Sequence, residues 1–308
     1  MNVYSQYGLL TGFTSLPPIY ALGYHQSRWN YNSEEDVLDV DANFDNYDIP
    51  YDAIWLDIET LTTRRYKVYE GISKNELAVR RESAWIDTFN PKAVEYWKDQ
   101  LKYGKYCGHE NNLLIWNDMN EPSVFNWPEV SAPRDSIHYG NWEHRDVHNV
   151  YFMTFVNATV QALQAREPRQ RPFVLTRSFF AGSQRLGAMW TGDNAATWDY
   201  LRMLLSHSVA GFSFVGADVG GYFGNPTSEL LTRWYQAGPW LRGEPYASLI
   251  RAAIRLRYQL LPSVYTAFHR ASFDGVPIVR PMFLLAPDNE DAFGIDDQFF
   301  FGETRPAC

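Results

Sequence analysis

The sequence predicts an α/β protein, a (β/α)8 TIM barrel that is incomplete. Three observations support this prediction. Seven short apolar runs alternate with segments of helical spacing, most runs end on a polar or ionisable residue, and no internal repeat or long linker divides the chain. Alternating strands and helices imply a parallel sheet, and polar residues at successive strand ends imply one functional face. Eight strands close such a barrel, so seven leave it one short.

Length and composition exclude several classes of protein. A chain of 308 residues, 45% of them hydrophobic, is long enough for one large barrel core. The net charge of −9, without a concentrated basic stretch, argues against nucleic-acid binding. Because no apolar run reaches 18 residues, no transmembrane helix is expected, and residues 1–7 lack the pattern of a signal peptide. The two cysteines, Cys107 and Cys308, are expected to be free thiols.

The first third of the chain is predicted to contain two helices and two strands. Residues 4–13 indicate a short helix, and residues 19–23 form the first apolar run. An acidic segment at 33–41 has the spacing of a second helix. Residues 53–56 form the second apolar run, which ends at Asp57.

The middle of the chain repeats this alternation. Residues 91–105 have helical spacing and precede the third apolar run, at 113–116. The longest predicted helix covers 145–166, and a strand follows at 173–175.

The last third adds three more apolar runs. They cover 187–190, 211–215 and 276–281, and helical spacing covers 201–209 and 247–270 between them. A proline within the second of these helices predicts an interruption there.

Residues 113–122 (LLIWNDMNEP) combine a buried strand with a polar cluster. Side chains two apart share a face of a strand, so Trp116, Asp118 and Asn120 are expected on one face and Glu121 on the other. An aromatic ring beside a carboxylate suits a sugar site, because the ring stacks on the sugar and the carboxylate can act as a nucleophile.

This stretch resembles a known motif. Residues 116–122, followed by Ser-Val-Phe, resemble the nucleophile motif of glycoside hydrolase family 31, the retaining α-glucosidases. Residues 23–31 (GYHQSRWNY) and 142–149 (WEHRDVHN) narrow the resemblance to the members that trim N-linked glycans in the endoplasmic reticulum.

The resemblance carries several implications. The chain would hydrolyse terminal α-linked glucose with retention, on a glucosylated N-glycan oligosaccharide whose glucose is α-1,3-linked. A lectin-type β-subunit would be its partner in the endoplasmic reticulum lumen. Residues 1–285 would form the catalytic barrel, and residues 286–308 would begin a truncated C-terminal β-domain. This chemistry needs no metal or organic cofactor.

Two aspartates are the predicted catalytic pair. By resemblance, Asp118 is the nucleophile and Asp193, in Trp-Thr-Gly-Asp, is the acid/base. The pKa values of such a pair must differ, because Asp118 must stay ionised while Asp193 holds a proton near neutral pH. The alternative is that both aspartates are caps or turn residues. Glu121 is the competing carboxylate, and its opposite strand phase favours a structural hydrogen-bonding role.

Five further residues are predicted to bind substrate: Asp57, Arg177, Trp116, Trp190 and Asp218. The resemblance implies that Asp57 accepts hydrogen bonds from sugar hydroxyls and that Arg177 lies near the sugar and the nucleophile. Each has a plainer alternative. These are a helix cap for Asp57, a structural ion pair for Arg177, core packing for the two tryptophans, and a strand-end turn for Asp218.

Metal binding is poorly supported. His144 and His148 have the four-residue spacing of helical ligands, but no Cys or Glu pattern completes a site, so structural histidines are expected.

The chain departs from the family pattern in two places. The family's third strand belongs between Asp57 and Trp85, where residues 61–84 are too short and too polar to supply it. After residues 233–236 the family has an aromatic-Arg-x-His segment that contacts sugar, and this chain lacks it. The alternative function is therefore a catalytically inactive, sugar-binding or truncated form of the same family.

Overall fold

The computed structural model describes residues 2–29, 31–57, 85–106, 113–123, 130–195, 197, 199–224, 227, 230, 240, 243–302 and 306–307. In chain order the strands are β1 (His25–Arg28), β2 (Ala53–Leu56), β3 (Leu114–Asn117), β4 (Ile137–His138), β5 (Trp142–Glu143), β6 (Phe173–Thr176), β7 (Ala188–Trp190), β8 (Val215–Gly216), β9 (Val279–Pro281), β10 (Phe299–Phe301) and β11 (Pro306–Ala307). The long helices are α1 (Asn2–Thr11), α2 (Glu34–Asn46), α3 (Pro91–Gln100), α4 (His144–Arg166), α5 (Tyr200–Val209) and α6 (Tyr246–Asp274).

Six strands form two parallel sheets. β1 pairs with β2, and the other four are ordered β3-β6-β7-β8. The two sheets share a core, because the ring of Trp55 on β2 lies 5.8 Å from Phe173 on β6 and 6.3 Å from Trp116 on β3, between ring centroids. This is the α/β architecture of a TIM barrel, and it is not closed in the part of the chain that the structure describes.

Local sequence explains where two of the helices begin. Ser33 caps α2, since its side chain accepts a hydrogen bond from the backbone N–H of Asp36, and three acidic residues follow in the first turn. Asn90 caps α3 in the same way, and Pro91 occupies the first helical turn, where no N–H is needed.

Helix α4 coincides with the longest predicted helix and packs an apolar face on the sheet. Its Phe152 and Val156 join a buried cluster with Ile115 of β3 and Val174 of β6, all less than 10% exposed. Each such side chain contributes roughly 1.5–3 kcal/mol of burial. The Trp97 indole N–H of α3 donates to Thr159 of α4 at 2.9 Å, which aligns the two helices.

Two predicted strands differ from the structure. The first apolar run is a 3-10 helix (Ile19–Leu22), and β1 begins only at His25. The last run is not a barrel strand, because β9 pairs antiparallel with β10 and continues to β11. Six barrel strands therefore lie among the residues described. The predicted interruption of α6 is also wrong, since the helix runs through Pro262.

Several predictions concern segments outside the described residues. The structure does not describe residues 58–84, where the third strand is predicted to be missing. Most of residues 231–242 and both cysteines also lie outside the described residues. The domain boundary at 285 stays a prediction. Among the described helices, none combines the length and apolar character needed to cross a membrane.

Candidate active site

The predicted polar residues all follow carboxyl ends of parallel strands. Asp57, Asp118 and Arg177 come directly after β2, β3 and β6, while Asp193 and Asp218 lie three and two residues beyond β7 and β8. Parallel strands end at one edge of a sheet, so their loops meet there. The site is therefore assembled by strand ends of both parallel sheets rather than by any single loop.

Arg177 lies between the two predicted catalytic carboxylates. Its Nε is 3.4 Å from Oδ1 of Asp118, and its Nη1 is 3.6 Å from Oδ2 of Asp193. The Arg177 side chain is only 17% exposed, so water screens its charge less than at the surface. One guanidinium thus links side chains from β3 and β7, which the sequence predicted to meet.

Glu121 does not lie on the opposite face from Asp118, so the orientation predicted from strand alternation is wrong. β3 ends at Asn117, and Met119 has a positive φ of 50°, so the alternation of faces stops before Glu121 is reached. As a result Glu121 and Asp118 contact the same guanidinium, that of Arg177.

The expected hydrogen-bonding role of Glu121 is nevertheless present. Nε and Nη2 of Arg177 donate to its two carboxylate oxygens at 2.7 and 3.0 Å. The hydroxyl of Ser178, a contact that the sequence did not predict, donates to the same carboxylate at 2.8 Å. Arg177 therefore forms a structural ion pair with Glu121 and also places its cation beside the two predicted catalytic carboxyls.

Burial dominates the electrostatics of Asp118. Its pKa is raised chiefly because the carboxyl is partly buried, while the Arg177 guanidinium and the Met119 backbone N–H lower it. The charges of Asp193 and Asp57 add to the rise. The prediction was that the pKa of Asp118 stays low, and the net shift is instead upward. Arg177 lowers this pKa as expected, but desolvation raises it by more.

Asp218 is the most perturbed of these carboxyls. Burial raises its pKa to about 7, and the charges of Asp193, Asp118 and Asp57 contribute to the rise. Near neutral pH this side chain is therefore divided between its protonated and ionised forms. Asp218 is therefore close enough to Asp193, Asp118 and Asp57 for their charges to act on it.

The loops that carry Asp193 and Asp218 are joined. The backbone N–H of Tyr222 donates to the carbonyl of Asn194 at 2.7 Å, and Phe223 donates to the same oxygen at 3.2 Å. Strand pairing between β7 and β8 is in this way extended into the loops, and it holds the two carboxyls near each other.

The aromatic residues divide into core and rim. Trp190 is 5% exposed and packs edge-to-face on Trp116, with ring centroids 5.4 Å apart, which favours the core alternative for Trp190. The indole N–H of Trp116 is buried and has no hydrogen-bond partner among the described residues. Two rim aromatics that the sequence did not predict, Trp29 and Tyr222, are 44% and 39% exposed and contact each other.

His138, His144 and His148 form a hydrogen-bonded row that ends on Asp87. Asp87 contacts His138 at 2.9 Å, His138 contacts His144 at 3.0 Å, and His144 contacts His148 at 2.9 Å. No cluster of metal-ligating side chains occurs within the described ranges. The row connects the segment before α3 to the β4–β5 hairpin and to the start of α4. This position favours the structural role that was expected for His144 and His148.

Comparison with known proteins decides the family. The Glycosyl hydrolases family 31 TIM-barrel domain matches residues 14–75 and 61–267. The chain belongs to glycosyl hydrolase family 31. The two matched parts meet at residues 61–75, within the stretch where the third strand is predicted to be missing.

Within family 31, the chain is similar to proteins named as α-glucosidases. The chain is 42% identical to Glucosidase 2 subunit alpha of Schizosaccharomyces pombe, in an alignment that covers 98% of this chain and 41% of that protein. It is also 42% identical to Neutral alpha-glucosidase AB of Dictyostelium discoideum, over 98% of this chain and 40% of that protein. It therefore spans about two-fifths of these relatives. The alignment with the first is 379 positions long against 308 residues here, so that relative has internal segments that this chain lacks.

Solved structures give the same result. The glucosidase II alpha subunit bound to Glc1Man2 superposes with a TM-score of 0.88 at 48% identity, covering 98% of this chain and 41% of that one. The heterodimeric complex of endoplasmic-reticulum glucosidase II, with the binding domain of its regulatory subunit, superposes with a TM-score of 0.87 at 48% identity over the same shares.

Proposed function

We propose that this chain is the catalytic barrel of a retaining α-glucosidase. The observation that carries the proposal is the placement of Arg177 within 3.6 Å of both Asp118 and Asp193, which come from different strands. Retaining glycoside hydrolysis uses two carboxyl groups about 5–5.5 Å apart, and contact with one guanidinium keeps Asp118 and Asp193 near each other. The family and its α-glucosidase relatives support the same reaction.

The proposed reaction has two steps. Asp118 attacks the anomeric carbon and forms a glucosyl ester, while Asp193 donates a proton to the departing glycosidic oxygen. Water then attacks the same carbon, Asp193 removes a proton from that water, and the C–O bond to Asp118 breaks. Two inversions return the original configuration.

The surrounding residues provide the environment for these steps. Arg177 stabilises the ionised form of Asp118, opposing the effect of burial. Asp57 and Asp218 supply carboxyl oxygens at the same face, where sugar hydroxyls can donate to them. Trp116, one residue before the end of β3, packs against Trp55 and Trp190 beneath these carboxyls.

The names of the relatives indicate a substrate and a partner. A glucosidase II alpha subunit has been solved with Glc1Man2, and another with the binding domain of a regulatory subunit. The proposed substrate is accordingly the α-1,3-linked glucose of an N-linked glycan. The proposed partner is a lectin-bearing β-subunit, and the proposed location is the endoplasmic reticulum lumen.

The test is turnover of a chromogenic α-glucoside, with the configuration of released glucose followed by NMR. Wild type should release α-glucose first, and Asp118→Asn should lower kcat by at least about 10³-fold. Asp39→Asn, an exposed change on α2, is the matched control and should leave kcat unchanged. Release of β-glucose first, or equal activity in Asp118→Asn, contradicts the proposal.

A second candidate is sugar binding without turnover. The 379-position alignment favours it, because relatives contain segments that this chain does not. Calorimetric titration with a monosaccharide glucosidase inhibitor separates the two candidates. Binding in a wild-type chain that releases no glucose supports the second, and turnover that depends on Asp118 supports the first.

A further inference from the structure

We propose that Glu121 is a positioning residue, which fixes the guanidinium of Arg177 between Asp118 and Asp193. The proposal rests on the proposed function, because positioning matters only if the two aspartates react with a sugar. In this account Glu121 touches neither substrate nor reacting atoms, and it acts on the reaction only through Arg177.

The contact between Glu121 and Arg177 is a two-point clamp. Nε donates to Oε1 at 2.7 Å and Nη2 donates to Oε2 at 3.0 Å. Two parallel hydrogen bonds fix the plane of a guanidinium, whereas a single bond leaves it free to rotate. The remaining nitrogen, Nη1, then lies 3.6 Å from Oδ2 of Asp193, and Nε also lies 3.4 Å from Oδ1 of Asp118.

Glu121 is itself held in place. Ser178, the residue after Arg177, donates from its hydroxyl to Oε1 at 2.8 Å. Asn120, the residue before Glu121, is fully buried, and its side-chain amide donates to the Thr176 hydroxyl at 2.8 Å. The turn after β3 is therefore tied to the end of β6 on both sides of the clamp.

Charge placement explains why the clamp affects catalysis. Arg177 lowers the pKa of Asp118, against the larger opposing effect of burial. If Arg177 rotates away, this stabilisation is lost, and the pKa of Asp118 rises further. The alternative is that Glu121 only neutralises part of the charge of Arg177. In that case, removal of the Glu121 charge would leave Arg177 in place with more of its positive charge uncompensated, and the pKa of Asp118 would fall. The two roles predict opposite shifts.

The experiment compares Glu121→Gln with wild type by carboxyl-carbon NMR and by kinetics. We expect the pKa of Asp118 to rise, the acidic limb of kcat/KM to move to higher pH, and kcat to fall about 10²-fold with KM changed much less. The Arg177 Nε–H signal should lose its protection from solvent exchange. Glu143→Gln, which removes a Glu–Arg contact of 2.6 Å on the surface, is the matched control and should change none of these quantities.

A second variant guards against misfolding. Ser178→Ala loosens Glu121 without touching Arg177, and it should shift the pKa of Asp118 in the same direction by a smaller amount. A fall or no change in that pKa in both variants overturns the proposal. The NMR measurements do not need turnover, so they test positioning even in an inactive chain. Loss of turnover in wild type counts against the proposed function alone.

Discussion

At the scale of single residues, the site depends on one cation that serves three carboxylates. Arg177 contacts Glu121, Asp118 and Asp193 at 2.7, 3.4 and 3.6 Å. Motifs predicted the two aspartates and the arginine, because their residue types and order are readable from the sequence. The position of Glu121 was not predictable, since alternation of faces cannot show where a strand ends or where Met119 takes a positive φ.

Arg177→Lys tests whether the shape of this cation matters. A lysine keeps the charge but cannot make two parallel hydrogen bonds to Glu121, so it should not face both aspartates at once. We expect kcat to fall about 10²-fold, with a smaller change in KM. Arg145→Lys removes an exposed guanidinium paired with Glu143 and is the control. Equal kcat in the two lysine variants would show that charge alone is sufficient.

Asp218→Asn tests the carboxyl whose pKa is raised to about 7. The unfolded chain ionises this group near pH 4, whereas the folded chain keeps it protonated up to about 7, so wild type loses stability as pH rises across that window. Asparagine has no proton to lose. The variant should therefore gain a few kcal/mol relative to wild type at pH 8, since one pKa unit is about 1.4 kcal/mol. Urea unfolding at pH 4 and pH 8 measures this, and a stability difference that does not depend on pH contradicts it.

At the scale of elements, helices were more predictable than strands. The helical spacing of residues 145–166 and of the acidic segment 33–41 is a local signal, and the structure has both helices, α4 and α2. The first and last apolar runs were assigned to barrel strands from composition, but pairing decides such runs. Residues 19–22 turn as a 3-10 helix and β9 pairs with β10, and neither outcome follows from a short apolar pattern.

The histidine row gives α4 a pH-dependent attachment. Burial, together with the neighbouring His148 and His138, lowers the pKa of His144 to about 4. The unfolded chain protonates this imidazole near pH 6.5, but the folded chain resists protonation until about pH 4. Stability that is present above pH 6.5 is therefore lost as pH falls toward 4.

His144→Gln should make the thermal midpoint fall less steeply between pH 6.5 and pH 4 than it does in wild type. His269→Gln, on the part-exposed C-terminal turns of α6, is the matched control and should keep the wild-type slope. Differential scanning calorimetry at several pH values measures the slopes. Parallel curves for wild type and His144→Gln would show that the row does not resist protonation.

At the scale of the whole molecule, the chain is a family 31 barrel that lacks internal segments of its relatives. Two parallel sheets share a core, but β3 pairs only with β6 among the described strands, and β2 only with β1. The family match divides at residues 61–75. The incomplete barrel was predictable because residues 61–84 are too short and too polar to supply a strand with its helix, although the first and last of the seven predicted strands were assigned wrongly. The relation between the two sheets was not, because it depends on long-range packing.

Grafting the corresponding segment of the Schizosaccharomyces pombe relative between Asp57 and Trp85 tests this view. An added strand would pair with β2 or β3, each of which has one partner among the described strands, and would increase the buried core, so the thermal midpoint should rise by several degrees. Turnover of an α-glucoside should rise as well. A scrambled segment of equal length and composition is the control. Equal midpoints for graft and control would mean that the barrel gains nothing from this segment.

The central claim is that Asp118 and Asp193 act on the same sugar, and trapping the glucosyl intermediate tests it most directly. A fluorinated glucosyl fluoride forms the ester quickly and releases it slowly, so peptide mass spectrometry can locate the modified residue. The account predicts one glucosyl group on Asp118. It also predicts that azide restores release in Asp193→Ala, because azide needs no general base. A label on Glu121 or on Asp193, or no label in a chain that turns over substrate, would contradict the account.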